Sequence, residues 1–173
     1  MDECRQPDTI CLYHDYWFWA RVTAVLSGQV DDESMKVATT SHDGMQSFIE
    51  DDSPRLMSLL LHGGDVVMPK YASRSLATRS DGALFLIDNG VPLPDWLPCA
   101  ATTLREPLDE QAFSPALRIS PDSYEARHVD LHRDLFRITP DGAFPRYGIA
   151  VTRLRDLFAS LTASGASTSC PRP

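Results

Sequence analysis

His128 and His132 stand four residues apart, with Glu125 three before the first, and this is the one local pattern in the chain with metal-ligand spacing. On a helix the three side chains would fall along one side, as the ligands of a shared divalent metal must. The order is not HExxH, because no Glu follows the first His, so the base of that protease pattern is missing. Tyr124, Leu131 and Leu135 set His128 beside an apolar face, where a hydrogen-bonded core histidine is the ordinary occupant. No metal is assigned, and the pair is left open between core and site. The rest of the chain holds no GxSxG elbow, phosphate loop or dinucleotide glycine pattern. Gly63-Gly64 suits a helix stop better than a phosphate cradle. Cys4, Cys11, Cys99 and Cys170 form no CxxC pair, so their spacing supports neither a zinc site nor a redox dithiol, and an even count is weak evidence for disulfides. Sequence therefore assigns no catalytic residue and no cofactor.

Charge is the more informative property. The 173 residues are 43% apolar and 23% charged, enough for one core, and their composition excludes a collagen, a coiled coil and a disordered tail. Net charge is −8, from 24 acids and 16 bases, which disfavours nonspecific nucleic-acid binding. No apolar run reaches the ~18 residues of a membrane helix. Residues 1–69 hold 12 acids and 4 bases, whereas 70–173 hold 12 of each, so the surplus lies wholly in the first part. Asp31, Asp32 and Glu33 form one tight cluster, and Glu50, Asp51 and Asp52 another. A surface of one sign speeds encounter with a basic partner, although a solvated face that maintains solubility is the plainer reading. Of the cations 14 are Arg and 2 are Lys, and Arg is the better residue for forked interface contacts. Met1-Asp2-Glu3-Cys4-Arg5 lacks the basic start and apolar core of a secretory signal, so a reducing cytoplasm is the expected location.

The elements that would position these groups can be read in outline. Residues 12–22 pack five aromatics into seven positions. As a strand, Tyr16, Phe18 and Ala20 face one way, and Asp15, Trp17, Trp19 and Arg21 the other. Aromatic enrichment favours that strand over a helix, with an extension through Val22–Leu26. These rings are either core or a wet edge carrying Tyr16, Trp17 and Trp19 as anchors for a partner. Asp31–Thr40 reads as loop or short helix, and 54–62 as a helix from the Ser53-Pro54 start to the Gly63-Gly64 stop. Val66–Met68 reads as a strand and Lys70–Ser80 as a loop. Ala83–Ile87 is a buried strand between the turns Asp81-Gly82 and Asp88-Asn89-Gly90, and three prolines keep Val91–Leu97 extended. Residues 99–113 read as loop, Ala116–Ser120 as a short strand, and a helix follows Pro121-Asp122-Ser123 with Tyr124, His128, Leu131 and Leu135 on one side. Phe136–Thr139 continues that helix or forms a strand. Arg146–Val151 reads as a strand. Thr152 caps a helix with Leu154, Leu157, Phe158 and Leu161 on one face, and Ser164-Gly165 ends it.

Asp134-Leu135-Phe136-Arg137-Ile138, a turn, Tyr147–Val151, and then Thr152–Phe158 with Ser164-Gly165 resemble the end of a bacterial polymorphic-toxin immunity family. That resemblance implies a binding protein that neutralises a cognate toxin. Phe85–Leu97 is similar to a segment of type VI secreted toxins with an ADP-ribosyltransferase-like fold. There Ser73, Ser75 or Thr78 would lie near the dinucleotide. Ala116–Ile119 lacks the His of that family's following strand, which ranks the enzyme second. The expectation is thus a single α+β domain over 1–165, with a small mixed or antiparallel sheet, two to four helices and a tail over 166–173. It is a cytoplasmic inhibitor without cofactor or metal, bound to a toxin with a basic surface and to neither nucleic acid nor membrane. Asp31, Asp32, Glu33, Glu50, Asp51 and Asp52 would steer that toxin.

Overall fold

The computed structural model describes residues 14–41, 53–69, 72–123 and 126–166. Expectations for Glu50, Asp51, Asp52, Tyr124, Glu125 and the residues after 166 fall outside that set. The architecture is α+β, with mixed and antiparallel sheets alongside helices. Its chain separates into two compact units: residues 1–24, 30–53 and 57–73, and residues 25–29, 54–56 and 74–173.

Period-two alternation builds the first unit. Strand β1, His14–Arg21, pairs antiparallel with β2, Ser34–Ser41, from His14 opposite Ser41 to Arg21 opposite Ser34. Phe18, Ala20, Met35 and Val37 turn to one face and pack with Met68 and Ala72. β1 stops at Arg21 and is not extended through Val22–Leu26. The loop or helix expected over Asp31–Thr40 is mostly strand β2, because Met35, Val37 and Thr39 alternate with Lys36, Ala38 and Thr40. Polar residues had masked that alternation. Buried Thr39 donates its hydroxyl to Met68 O at 3.0 Å, which satisfies that polar group on the packed face of β2.

No helix forms over 54–62. Three strands occupy that region: β3, Arg55–Met57; β4, Leu60–His62; and β5, Asp65–Met68. Gly63 and Gly64 both take positive φ, +61° and +91°. That conformation makes a two-residue hairpin turn whose twist matches the strands it joins. Leu60 pairs with Val67 across it, and Val37–Thr39 pair in parallel with Val66–Met68, giving the order β1-β2-β5-β4.

The second unit is built on a five-stranded sheet, β3-β6-β7-β11-β8. Strand β6, Ser73–Thr78, replaces the expected loop. Its polar residues are tolerated because most of its positions are only half-buried. β7, Leu84–Asp88, is the buried strand read from sequence, whereas Val91–Leu97 is not extended throughout: the Leu97 amide donates to Pro94 O at 2.9 Å, closing a turn that leaves Leu97 fully enclosed. The loop expected at 99–113 contains 3-10 turns at Cys99–Leu104 and Glu110–Ala112 and the short strand β8, Glu106–Pro107. Ala116–Ser120 is not a strand; Pro115–Leu117 forms a 3-10 turn, and Ile119 makes a single bridge to Ala143.

Helix α1, Ala126–Leu131, is only six residues long and buries Val129, while Leu131 is exposed, so the expected apolar face is the wrong one. β9, Phe136–Thr139, and β10, Gly142–Pro145, form a hairpin, and β11, Tyr147–Ala150, pairs with β7. α2, Val151–Ser164, begins after Ala150, so Thr152 lies within its first turn instead of capping it. Its end is as expected: Gly165 adopts φ +64° and donates to the last carbonyls. Leu154 and Phe158 bury against Leu86, Leu97 and Ile149. A second cluster stacks Phe85 edge-on to Phe113, with ring centres 5.4 Å apart, and adds Phe144.

The turn before β7 is fixed by a forked ion pair, with Arg79 Nη2 2.6 Å from Asp81 Oδ2 and Nε 2.9 Å from Oδ1. The Arg79 fork and the Ala83 amide together hold the Asp81 carboxyl down to about 2, from an ordinary 3.8. A depressed carboxylate stabilises the fold fully above its unfolded value and loses that contribution as pH falls through its folded value. In urea melts, Asp81→Asn will have a lower midpoint than the native chain at pH 7, and the gap will close between pH 4 and pH 2.

Candidate partner-binding face

Strand alternation that buries Phe18 and Ala20 must send Trp17 and Trp19 to the opposite face of the four-stranded sheet. Trp17 is 47% exposed and Trp19 73%. Directly opposed residues share a face, so the register carries a row across all four strands: Trp17, Ala38, Val67, Leu60. Leu60 is itself 56% exposed. Trp19 lies beside this row opposite Lys36, whose ammonium sits 4.5 Å from the centre of the Trp17 ring. A cation over an aromatic face at that distance is attracted by the ring quadrupole, which helps to hold the ring in place. Further along the same face Thr40 donates to the Asp15 carboxylate at 2.7 Å.

The acidic cluster marks one end of the hairpin. Val22 N donates to Glu33 O at 2.8 Å, one step beyond the Arg21–Ser34 pair. Glu33 therefore lies roughly 10 Å along the strand from Trp19. Asp31, Asp32 and Glu33 are all exposed. The unit boundary coincides with the charge boundary: the first unit's ranges hold 12 acids and 4 bases, the second unit's 12 of each.

Of the anchors expected from sequence, Trp17 and Trp19 share the open face. Tyr16 is half-buried on the other side of the strand, so it does not join them. Leu60, Ala38 and Val67 were not anticipated. Their signal was two apolar pairs, Leu60-Leu61 and Val66-Val67, around a Gly-Gly turn.

Ser73, Ser75 and Thr78 do not form a cluster. Alternation along β6 turns Ser73 and Ser75 one way and Thr78 the other, and the Ser75 hydroxyl accepts from Arg55 Nη1 at 3.0 Å. The two histidine rings lie against each other at a tilt of 50°, with centres 4.6 Å apart. His128 Nε2 is engaged by Asn89 O, and the His132 ring fills the space a side chain at Gly90 would occupy. Both rings thus fasten α1 to the turn after β7. That turn is braced in its own right: buried Asp88 takes Arg105 Nε at 2.9 Å and the Gly90 amide at 3.3 Å.

Cys99 is disulfide-bonded; Cys4, Cys11 and Cys170 lie outside the described residues. Disulfides persist in oxidising compartments and are rare in the cytoplasm. Among the described residues no helix is long and apolar enough to cross a membrane. A scan against protein-family models, a search of curated proteins and a search of solved structures each return no match.

Proposed function

We propose that this chain is a binding protein of the immunity type, which takes a cationic protein toxin onto the open face of its four-stranded sheet and blocks it by occlusion. The observation that carries this reading is the row Trp17, Ala38, Val67, Leu60, placed in the unit that also holds the entire charge surplus. An aromatic and aliphatic centre with a charged surround is the composition of an interface core and its rim. Dimensions argue for the acids as well. Three inter-strand spacings by the length of β1 give a face of roughly 14 by 26 Å, about half of the ~800 Å² that each partner buries in a stable complex. A stable complex must therefore run past the sheet, and the Asp31-Asp32-Glu33 end offers a surface to a basic partner.

The nucleotide-transfer reading gains no support from Ser73, Ser75 and Thr78, which diverge along β6. Expression in a bacterium separates the two: an inhibitor leaves growth unaffected and co-purifies with a basic protein, whereas a toxin arrests growth alone. With the captured protein in hand, reversing Asp31, Asp32 and Glu33 to Lys is expected to slow association by about tenfold at low salt and to change dissociation little. An unchanged association rate removes the acids from the mechanism.

We infer the compartment from Cys99. This reading sets the encounter in an oxidising space, where the chain in denaturant will titrate fewer than its four thiols until a reductant is added. Four titratable thiols without reductant would return the protein to the cytoplasm.

A further inference from the structure

We propose that the cavity between α1 and the β9–β10 hairpin binds a free aliphatic α-amino acid of about leucine size. It measures about 180 Å³. That is the liquid volume of roughly six waters, well below the ~300 Å³ at which sites for drug-sized ligands begin. Its deep wall is apolar: Val129 and Ala143 are buried, and Ile119 packs against them. A surface of this kind holds water poorly and offers no hydrogen bonds, so it suits a branched alkyl group.

Two opposite charges line the same cavity at its rim. Asp130 and Arg133 stand 3.8 Å apart on adjacent turns of chain, with side chains 74% and 68% exposed. A pair this loose and this wet gains little from its own attraction. Most of the guanidinium N–H groups and carboxylate lone pairs therefore remain for a ligand. A ligand carboxylate on Arg133 and a ligand ammonium on Asp130 would satisfy both. An α-amino acid carries those two groups on one carbon, with the alkyl chain on the same atom. One acid, one guanidinium and an apolar recess of side-chain size match that molecule; a fatty acid or an alkylamine answers only two of the three.

The hairpin wall is rigid for reasons local to it. Gly142 takes φ +131°, and a side chain there would meet Ile119 O at 2.4 Å, so only glycine lets the two segments approach this closely. Thr139 Oγ1 donates to Gly142 O at 3.1 Å and closes the turn. A wall fixed before binding spares the ligand the cost of ordering it.

The site does not depend on the partner reading, and its test is direct. Titrating L-leucine into the isotope-labelled full chain will produce saturable amide shifts at Val129, Thr139 and Ala143, with a dissociation constant of about 1 mM for so small a ligand. 4-Methylpentanoate, which lacks the ammonium, and 3-methylbutylamine, which lacks the carboxylate, will bind about tenfold more weakly or worse. Arg133→Gln will weaken leucine by a similar factor without moving the unfolding midpoint, because that side chain is mostly in solvent. Three outcomes overturn the proposal: no saturable shift at the cavity amides, equal binding of leucine and 4-methylpentanoate, or undiminished leucine binding by the folded Arg133→Gln chain.

Discussion

Alanine at both Trp17 and Trp19 is expected to weaken capture of the cationic partner by about a hundredfold while leaving the folded chain nearly as stable as before. Trp17 ends the row that crosses all four strands on the open face of that sheet, and Trp19 stands beside it on the same strand. Tryptophans that become enclosed in a complex commonly account for 2 kcal/mol or more each, about thirtyfold. Their effects share a surface, so the pair will give less than the product of the two. Stability should change by about 1–2 kcal/mol. Trp19 has most of its surface in water, and Trp17, about half covered, loses that packing together with its contact with Lys36, which is worth about 0.5–1 kcal/mol at an exposed site. Phe18→Ala provides the opposite control. It empties part of the packed face beside Val37 and Met68, so it lowers the unfolding midpoint and leaves the affinity of the folded fraction intact. Calorimetric titration against the captured partner, paired with a urea melt of each variant, reads both quantities. Full affinity in the Trp17→Ala, Trp19→Ala chain would move the binding site off this face.

Leu154→Ala is expected to cost about 3 kcal/mol, within the usual 2–5 for a buried leucine. Leu154 has no solvent exposure and sits where α2 meets Leu86, Leu97 and Ile149. A chain of this size should lose roughly 6–12 °C in its melting midpoint, followed by circular dichroism. Leu157→Ala, one turn along but only half-buried, should cost clearly less. Equal losses at the two positions would mean that α2 is not seated by the Leu154–Phe158 face.

Where a segment's own residues both drive and delimit an element, the sequence was enough. Ala83–Ile87 is a run of apolar residues closed at each end by a turn, and Leu84–Asp88 is a strand. The final helix has its apolar stripe at Leu154, Leu157, Phe158 and Leu161, with a glycine at its end, and it is a helix. Residues 54–62 show the opposite case. Leu56, Leu59 and Leu60 have helical spacing, but the same leucines also fit short strands. What decides between them is Val66-Val67, which stands across the Gly63-Gly64 turn and offers Leu60 and Leu61 a ladder partner. Strand pairing is an agreement between two segments, and one segment alone does not record it. β2 and β6 were missed for a related reason. Each has an open or half-covered face that admits Lys, Ser and Thr, so the apolar alternation is diluted.

The residue types of the candidate face were likewise local facts, and so was the confinement of excess negative charge to the first part of the chain. Alternation alone separated Trp17 and Trp19 from Phe18. Which side of that strand met a core, and that Ala38, Val67 and Leu60 would continue the tryptophan row, were settled only when distant segments came together. Side-chain direction along a strand is set by neighbouring bonds, whereas burial and pairing depend on residues tens of positions away.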